Sequence, residues 1–219
     1  VFQMEWTDAL RIAIYFHLGT GLAVALKYWH EYWTMITSDY RLLRLIILST
    51  LFTGVLGIPL YLLLNGIENI NRFGLVITFG IGVLLLITAT LLRLGRLKGS
   101  ERKTLDDRSI LDECLLGMCQ GVAILPGISR SGTTSTFLIL RGYTKEDAFN
   151  MSFLISLPAV IGAVIFDIGK EVIIDSNPAF FEFHWSYLLL LSFTAVIGYL
   201  TMDLLLKFAK TTSFDKICY

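Results

Sequence analysis

The residues best suited to chemistry lie in the segment LPGISRSGTTS, residues 125–135, where an arginine and several hydroxyls interrupt a mostly apolar stretch. No carboxylate lies within a few positions of Arg130 to neutralise it. A guanidinium beside the N–H groups of a helix N-terminus can bind phosphate and stabilise the charge that develops during phosphoryl transfer. The segment therefore predicts a site for phosphate or another anion. The competing interpretation is a structural arginine capped by backbone carbonyls.

Hydroxyl groups next to the arginine extend this prediction. They can bind phosphate oxygens and, when activated, can attack phosphorus. The candidate catalytic residues are Arg130, Ser129 and Ser131, and the candidate phosphate-binding residues are Arg130, Ser129, Ser131, Gly132 and Thr134. Two further contacts are Thr133 and Gln120. For Gln120, which lies six residues before Pro126, packing between helices is an equal alternative.

Composition indicates where this segment must operate. Hydrophobic residues make up 55% of the 219 residues, and the mean hydropathy is +0.68. A helix needs roughly 20 apolar residues to cross a bilayer. The windows that satisfy this are Ala9–Trp29, Leu42–Leu64, Phe73–Leu94, Ala148–Ile168 and Trp185–Phe208. The sequence therefore predicts an all-α polytopic membrane protein with five full transmembrane helices.

A sixth apolar segment is too short and too broken to form another span. Pro126 lacks an N–H group, and Gly127 and Gly132 tolerate unusual backbone angles, so two half-helices are expected to meet at the PGISRSG turn. If they form a re-entrant hairpin over residues 110–141, 14 of the 18 Lys and Arg residues fall on one face and three on the other. A crossing segment would give 10 against 7. The positive-inside rule therefore favours a re-entrant hairpin whose basic face is cytoplasmic.

Two internal matches suggest a duplication. Asp8-Ala9 with Leu18 matches Asp147-Ala148 with Leu157 at an offset of 139. TGVLGIPL, from Thr53, resembles TAVIGYLT, from Thr194, at an offset of 141. Each copy would contain a hairpin and three spans, inverted relative to the other copy, with a shared site near the midplane.

This pattern predicts the organisation of the chain. Residues 1–219 form one membrane domain, in which 1–94 belong to a first repeat, 95–108 form a cytoplasmic linker and 109–219 form a second repeat. The hairpin of the first repeat and the last span of the second are missing on this pattern. Because the chain also begins without methionine, we expect it to be a fragment.

The segment LPGISRSGTT closely resembles the PGxSRSGxT signature of the bacitracin-resistance family of undecaprenyl-diphosphate phosphatases. Further matches are HLGT at residues 17–20, LDD at 105–107, Gly117 with Gln120, and SFL at 152–154 with Pro158. The resemblance implies an integral membrane phosphatase with inverted repeats in the cell (plasma) membrane. It would remove the terminal phosphate of a C55 isoprenyl diphosphate and so regenerate the carrier lipid for cell-wall synthesis.

The resemblance also assigns roles. Arg130 would bind the diphosphate, while Ser129, Ser131 and Thr134 would bind it or organise the turn. Thr133 stands at the variable position of the signature and ranks below Thr134. The resemblance further implies a divalent cation, Mg²⁺ or Ca²⁺, although no ligand for it is identified in this chain and the metal site stays unknown.

Two family motifs are absent from the chain. An acidic ExxxE motif and a PVSSxGH motif would supply acids, a nucleophilic serine and a histidine, and neither occurs in the sequence. The chain is therefore expected to hold half of the site and to be inactive by itself if the other half is required.

Other functions compete with this one. A membrane transporter or flippase for a phosphate-bearing lipid is the main alternative, because inverted repeats with re-entrant hairpins are also a transporter architecture. A phosphatase with a histidine nucleophile is disfavoured, because its PSGH element is absent. The expected partners are the polyisoprenyl diphosphate lipid and the bilayer, and a homo-oligomer is compatible with the sequence. The basic run Arg93–Arg108 is expected to contact anionic lipid rather than nucleic acid.

Acidic residues near position 110 resemble a metal cluster only in composition. Ser109-x-x-Asp112 predicts a helix start, with the other acids, Asp106, Asp107 and Glu113, as favourable charges in its first turn. Thr144-x-x-Asp147 predicts a second helix start of the same kind.

Overall fold

A computed structural model describes residues 6–68, 74–98, 102–173 and 185–210, and these ranges are almost entirely helical. The helices are α1 Trp6–Lys27, α2 Trp29–Thr37, α3 Tyr40–Glu68, α4 Gly74–Lys98, α5 Ile110–Val122, α6 Arg130–Leu140, α7 Lys145–Leu154, α8 Ser156–Ile173 and α9 Trp185–Lys210. A 3-10 turn covers Leu105–Asp107. The described ranges contain no strand, and an isolated β-bridge pairs Lys103 with Tyr143. The all-α prediction is confirmed.

Four helical stretches in the described ranges are long and apolar enough to cross a membrane. They are Tyr40–Leu63, Thr78–Gly95, Lys145–Phe166 and Trp185–Lys207. They overlap four of the five predicted windows. The remaining window, Ala9–Trp29, is helical as α1 but is not among the four, so the predicted number of spans is not confirmed.

The predicted window Ala148–Ile168 contains two helices instead of one. Helix α7 ends at Leu154 and α8 begins at Ser156. Pro158 has no N–H to donate to the carbonyl four residues earlier, so a continuous helix would lose a hydrogen bond there. In the first turn of α8 the same proline costs nothing, because N–H groups in that turn lack helical partners. Pro158 therefore accounts for the break.

Helix α2 lies between the first two predicted windows, Ala9–Trp29 and Leu42–Leu64. Trp29 and Trp33 stack on one of its faces with ring centroids 6.3 Å apart, and both are exposed. Exposed tryptophans at the end of an apolar segment are typical of the membrane interface. An interfacial helix is therefore the natural interpretation of α2.

The chain divides into two compact units. The first contains Val1–Ser38 and Ser156–Phe208, and the second contains Asp39–Ile155 and Ala209–Tyr219. In the first unit, α1 packs against α8 through Ile14, Val160 and Val164. Gly19 allows α1 to approach α9 closely, since a Cβ atom there would lie 2.7 Å from the Leu191 carbonyl oxygen.

In the second unit, helices α3 and α5 pack through small residues one turn apart. Ser49, Thr53 and Gly57 on α3 contact Gly117 and Gly121 on α5. The Thr53 hydroxyl donates to the carbonyl oxygen of Gly117 across the interface at 3.0 Å. Small residues at every fourth position let helix backbones approach closely, which is how helices associate inside membranes. This contact holds the first half of the predicted hairpin against α3.

Replacing Gly117 with alanine should destabilise the second unit. The added Cβ would lie 2.8 Å from Ser49 Cα and 2.9 Å from Phe52 Cβ, so backbone would have to move. Overpacking of this kind costs ~1–3 kcal/mol. The matched control is Gly82→Ala on α4, where nothing lies within 4 Å and alanine favours the helix. In detergent, the melting temperature should fall for Gly117→Ala and stay unchanged for Gly82→Ala. Equal melting temperatures would contradict the close packing.

Candidate active site

The signature segment forms a tight turn between α5 and α6. Ile128 N–H donates to the Leu125 carbonyl at 3.1 Å, and Gly127 has a φ of 96°. Pro126 and a positive-φ glycine at the two central positions are what a type II turn requires. A side chain at Gly127 would also meet the Ile81 carbonyl of α4 at 2.7 Å. The predicted break between two half-helices is therefore confirmed at the PG dipeptide.

Helix α6 begins at the predicted arginine. Ser129 is its N-cap, and the Ser129 hydroxyl oxygen accepts a hydrogen bond from Gly132 N–H at 3.2 Å. Arg130 is the first helical residue and Ser131 the second. The N–H groups of this first turn have no partners within the helix, and the helix dipole makes this end positive. The guanidinium thus extends from a turn that itself favours an anion.

The hydroxyl groups of α6 differ in the number of hydrogen bonds that they already make within the protein. Thr134 is fully buried, and its hydroxyl donates to the Arg130 carbonyl at 2.8 Å and contacts Ser152 Oγ of α7 at 2.5 Å. The Ser135 hydroxyl donates to the Ser131 carbonyl. Thr133 Oγ1 is buried and has no hydrogen-bond partner in the part of the chain that the structure describes. Thr134 is thus placed to organise the turn, and a direct role in phosphate binding stays a prediction.

Gln120 bridges three elements next to this turn. It is 3% exposed, and its Nε2 donates to Thr53 Oγ1 of α3 at 3.1 Å and to the Ile155 carbonyl after α7 at 3.3 Å. The Thr53 proton is directed to backbone carbonyls, so both partners accept and the amide nitrogen must face them. Gln120 Oε1 consequently points elsewhere and has no partner among the described residues. The structure shows the packing role, and the contact with substrate stays a prediction.

A cluster of charged residues at the base of the hairpin was not predicted. We call it the base cluster. Asp112 and Glu113 are fully buried at the start of α5. Arg44 of α3 donates to both Glu113 carboxylate oxygens at 2.9 Å. Its remaining members are Asp39, Lys103, Arg108, Arg141 and Tyr143.

The predicted helix starts are confirmed, but they are only part of what these acids do. Asp112 N–H donates to Ser109 Oγ at 3.1 Å, and Asp147 N–H donates to Thr144 Oγ1 at 3.2 Å. Asp106 and Asp107 lie in the separate 3-10 turn and not in the first turn of α5, and the local interpretation of Asp112 and Glu113 was incomplete. Their carboxylates pair with basic residues that are distant in sequence, and no local pattern marks such partners.

The base cluster also shows the shape of the hairpin. Arg141, which follows α6, donates to the Asp112 carboxylate at the start of α5 at 2.5 Å. Tyr143 donates to the other Asp112 oxygen at 2.9 Å. The two ends of the hairpin therefore lie side by side, which a re-entrant segment requires. Its entry and exit on one membrane face stay a prediction.

The ionisation of Asp112 predicts how the protein responds to acid. Burial alone would raise the pKa of Asp112, but hydrogen bonds from Arg141, Tyr143 and Ser109 outweigh it and hold the pKa below its usual value. A carboxyl with a depressed pKa contributes stability that is complete above its unfolded pKa of about 3.9 and is lost as the pH falls through the folded value. Asp112→Asn should therefore melt below wild type at pH 7, and this difference should shrink below about pH 4. A difference in melting temperature that stays constant from pH 7 to pH 3 would contradict the assignment.

The described residues contain no group of three or more His, Cys, Asp or Glu residues that could hold a metal ion. The carboxylates of the base cluster are already paired with arginines and a lysine. The donor set in this part of the chain therefore does not fit a protein-held divalent cation.

The described ranges form an all-helical protein in which four helical stretches are long and apolar enough to cross a membrane, and the PGISRSG turn places an arginine at a helix N-terminus. Comparison with known sequences identifies it further. The chain belongs to the family described as "Bacitracin resistance protein BacA", whose profile matches residues 1–219. The family resemblance of the signature segment is therefore confirmed.

Curated relatives share most of the chain. An undecaprenyl-diphosphatase of Methanothrix thermoacetophila is 40% identical over 219 residues, covering 98% of this chain and 79% of the relative. The undecaprenyl-diphosphatase of Haloarcula marismortui is 34% identical, covering 95% and 78%. That of Methanosphaera stadtmanae is 33% identical, covering 100% and 75%.

Proposed function

We propose that this chain carries the activity for which its relatives are named, the hydrolysis of undecaprenyl diphosphate to undecaprenyl phosphate and inorganic phosphate. The observation that carries the proposal is the SRSG segment, which places Arg130 at the N-terminus of α6 in a member of this family. The reaction recycles the carrier lipid for cell-wall synthesis and confers bacitracin resistance.

The chemistry explains why an arginine is needed. The bond between the terminal phosphorus and the bridging oxygen breaks, water supplies the oxygen of the new P–O bond, and the lipid monophosphate leaves with the bridging oxygen. In a loose transition state negative charge shifts onto the leaving phosphate, while the transferred phosphoryl carries charge spread over its three equatorial oxygens. A guanidinium and helix N–H groups fixed around those oxygens stabilise that charge without reorganising.

Residues of the turn divide this work. Arg130 binds the diphosphate in a bidentate manner, and the Ser129 and Ser131 hydroxyls complete the oxygen cradle. The Gly132 N–H, which already donates to Ser129 Oγ, joins them by sharing its proton with a phosphate oxygen. Ser129 contributes in a second way, because its cap fixes the first turn of α6. Thr133 and Gln120, each with an unpartnered buried oxygen in the described structure, are the further candidate contacts.

A divalent cation, Mg²⁺ or Ca²⁺, belongs to the proposal only through the family resemblance. The described residues do not fit such an ion by themselves. No step of the mechanism is therefore assigned to it.

The setting of the reaction is also proposed. The protein lies in the plasma membrane with its basic face in the cytoplasm, and the PGISRSG turn reaches toward the midplane. The chain is organised as inverted repeats, with 95–108 as the linker between them. A homo-oligomer is compatible with this arrangement.

Two family motifs absent from these 219 residues, ExxxE and PVSSxGH, would complete the site. The first experiment therefore measures phosphate release from undecaprenyl diphosphate in detergent. It uses this chain and, beside it, a longer protein that supplies both motifs upstream of Val1. Release by both proteins supports the proposal directly, and release by the longer protein alone supports a site that this chain shares with the upstream segment.

The same assay addresses the transporter alternative. A transporter or flippase would bind the lipid and move it between leaflets without releasing phosphate. Folded protein that binds undecaprenyl diphosphate but releases no phosphate in either form would contradict the proposed hydrolysis and favour transport.

A further inference from the structure

Ser152 connects α7 to the first turn of α6, although it lies outside the signature segment. It is 2% exposed, and its hydroxyl oxygen lies 2.5 Å from Thr134 Oγ1. Thr134 is itself fully buried. Two hydroxyls this close and this well shielded from solvent form a strong hydrogen bond, since water does not compete for either group.

The direction of this hydrogen bond follows from the number of available protons. A threonine hydroxyl has one proton to donate. The Thr134 hydroxyl directs it to the Arg130 carbonyl at 2.8 Å, with a longer contact of 3.4 Å to the Ser131 carbonyl. Ser152 must then donate to Thr134 Oγ1. The result is a hydrogen-bond relay in which Ser152 donates to Thr134 and Thr134 donates to the carbonyl of Arg130.

The hydrogen-bond relay ends on the backbone carbonyl of Arg130, the residue whose side chain is proposed to bind phosphate. The carbonyl of Arg130 shares a Cα with the guanidinium stem, so its position helps to fix where that stem begins. Successive hydrogen bonds polarise and strengthen one another in a low-dielectric interior. Ser152 therefore stiffens the first turn of α6 from a different helix.

A second hydrogen bond joins the same end of α7 to the other half of the hairpin. Gln120 of α5 donates to the carbonyl of Ile155, which is three residues after Ser152. The last turn of α7 is thus bonded to both half-helices, one on each side of the PGISRSG turn. This arrangement fixes the two half-helices relative to each other beneath the arginine.

We infer that Ser152 is a positioning residue for Arg130, acting through Thr134. The inference rests on the proposed function, because it assigns a role in the binding of the diphosphate by Arg130. Misplacing a catalytic group by about 1 Å can cost ~10²-fold in rate. Loss of one hydrogen bond in the relay is expected to shift the turn by less than about 1 Å, so we expect a loss of about 10-fold in kcat/KM.

Ser152→Ala is the central variant of the test. Alanine suits a helix and leaves the Thr134 proton on the Arg130 carbonyl, so no donor is stranded and the variant should fold. Ser152→Thr retains the donor hydroxyl and should recover activity. Ser192→Ala on α9, where the serine is exposed, is the matched control. The readouts are kcat, KM and the melting temperature in detergent.

A double-mutant cycle separates positioning from general packing. The dissociation constant of a methylene-bridged isoprenyl diphosphate, which cannot be hydrolysed, is measured for Ser152→Ala in the wild-type and Arg130→Ala backgrounds. If Ser152 acts through Arg130, its loss should weaken binding clearly in the wild type and change little once the arginine is gone. A packing defect would weaken binding equally in both backgrounds.

The outcomes are distinct. Ser152→Ala that melts like wild type, loses about 10-fold in kcat/KM and shows coupling to Arg130 supports the inference. Unchanged kinetics in a folded Ser152→Ala, or equal losses in the two backgrounds, would overturn it. If wild type binds the analogue but releases no phosphate, the proposed hydrolysis fails while the cycle still decides the role of Ser152. If neither this chain nor the longer protein binds or hydrolyses the lipid, both the proposed function and the role of Ser152 are contradicted.

Discussion

Replacing Arg130 with alanine is expected to lower phosphate release from undecaprenyl diphosphate by about 10³-fold, because an arginine that stabilises a phosphoryl-transfer transition state contributes ~10³–10⁵. The effect should fall mainly on kcat, with weaker binding of a non-hydrolysable diphosphate analogue as a second consequence. Negative charge shifts onto the leaving phosphate in the transition state, and the guanidinium gains most of its interaction there.

The variant should remain folded. Two contacts at the start of α6 survive the change: Thr134 donates to the backbone carbonyl of residue 130, and the Gly132 N–H donates to Ser129 Oγ. Alanine keeps both contacts and is the best helix former. A melting temperature close to that of wild type would therefore separate lost chemistry from lost structure.

Two companion variants sharpen this test. Arg130→Lys keeps the positive charge but loses the planar fork that meets two phosphate oxygens, so its activity should fall between wild type and alanine. Arg93→Ala removes an exposed arginine from α4 and should leave turnover unchanged. If folded Arg130→Ala retained wild-type turnover at saturating substrate, the phosphate-binding role would be wrong and the structural interpretation of Arg130 would stand.

Local sequence patterns were enough to place the candidate site. Pro126 followed by Gly127 predicts a sharp turn, and the structure has one with Gly127 at φ 96°. Ser109 and Thr144 were predicted to begin helices and do so, whereas the N-cap role of Ser129 was found only in the structure. These features depend on a few adjacent residues. The break before α8 also has a local cause, Pro158, although the window Ala148–Ile168 was predicted as one helix from its hydropathy.

Contacts between helices distant in sequence were not predictable. Arg44 lies 69 residues from Glu113, and Arg141 lies 29 residues from Asp112. Each carboxylate looks locally like a favourable charge in a first helical turn, and that local role is satisfied whether or not a distant arginine is present. The hydrogen bond between Ser152 and Thr134 could not be predicted for the same reason. Such pairings depend on which helices pack together, and a single sequence does not determine this.

Glu113 provides the largest stability prediction from these distant contacts. Its carboxylate is fully buried and receives two hydrogen bonds of 2.9 Å from Arg44, with Arg108 Nε at 3.8 Å. Glu113→Gln removes the charge but leaves both arginines. Arg108 is 2% exposed, so water cannot replace the lost partner there, whereas Arg44, at 39%, is partly hydrated. Breaking a buried ion pair from one side costs ~3–5 kcal/mol, and the hydration of Arg44 favours the lower end of this range.

Unfolding in detergent, followed by helical signal, measures this loss. The control is Asp106→Asn, which removes an exposed carboxylate from the neighbouring 3-10 turn and should change stability little. Hydrogen exchange shows where the structure is weakened. In Glu113→Gln, the amides of α5 should lose protection first if the base cluster stabilises the hairpin. Wild-type stability in Glu113→Gln would show that the cluster contributes nothing.

Replacing both members of the pair distinguishes a buried charge from a general packing role. Arg44→Met alone leaves Glu113 with Arg108 as its remaining basic partner and should also be destabilising. Combined with Glu113→Met, it removes both charges together and retains apolar bulk between α3 and α5. Because most of each single loss is the cost of stranding the opposite charge, the double variant should be less destabilised than the sum of the singles, by ~0.5–3 kcal/mol. Simple additivity would mean that the two side chains stabilise the hairpin by packing and not as an ion pair.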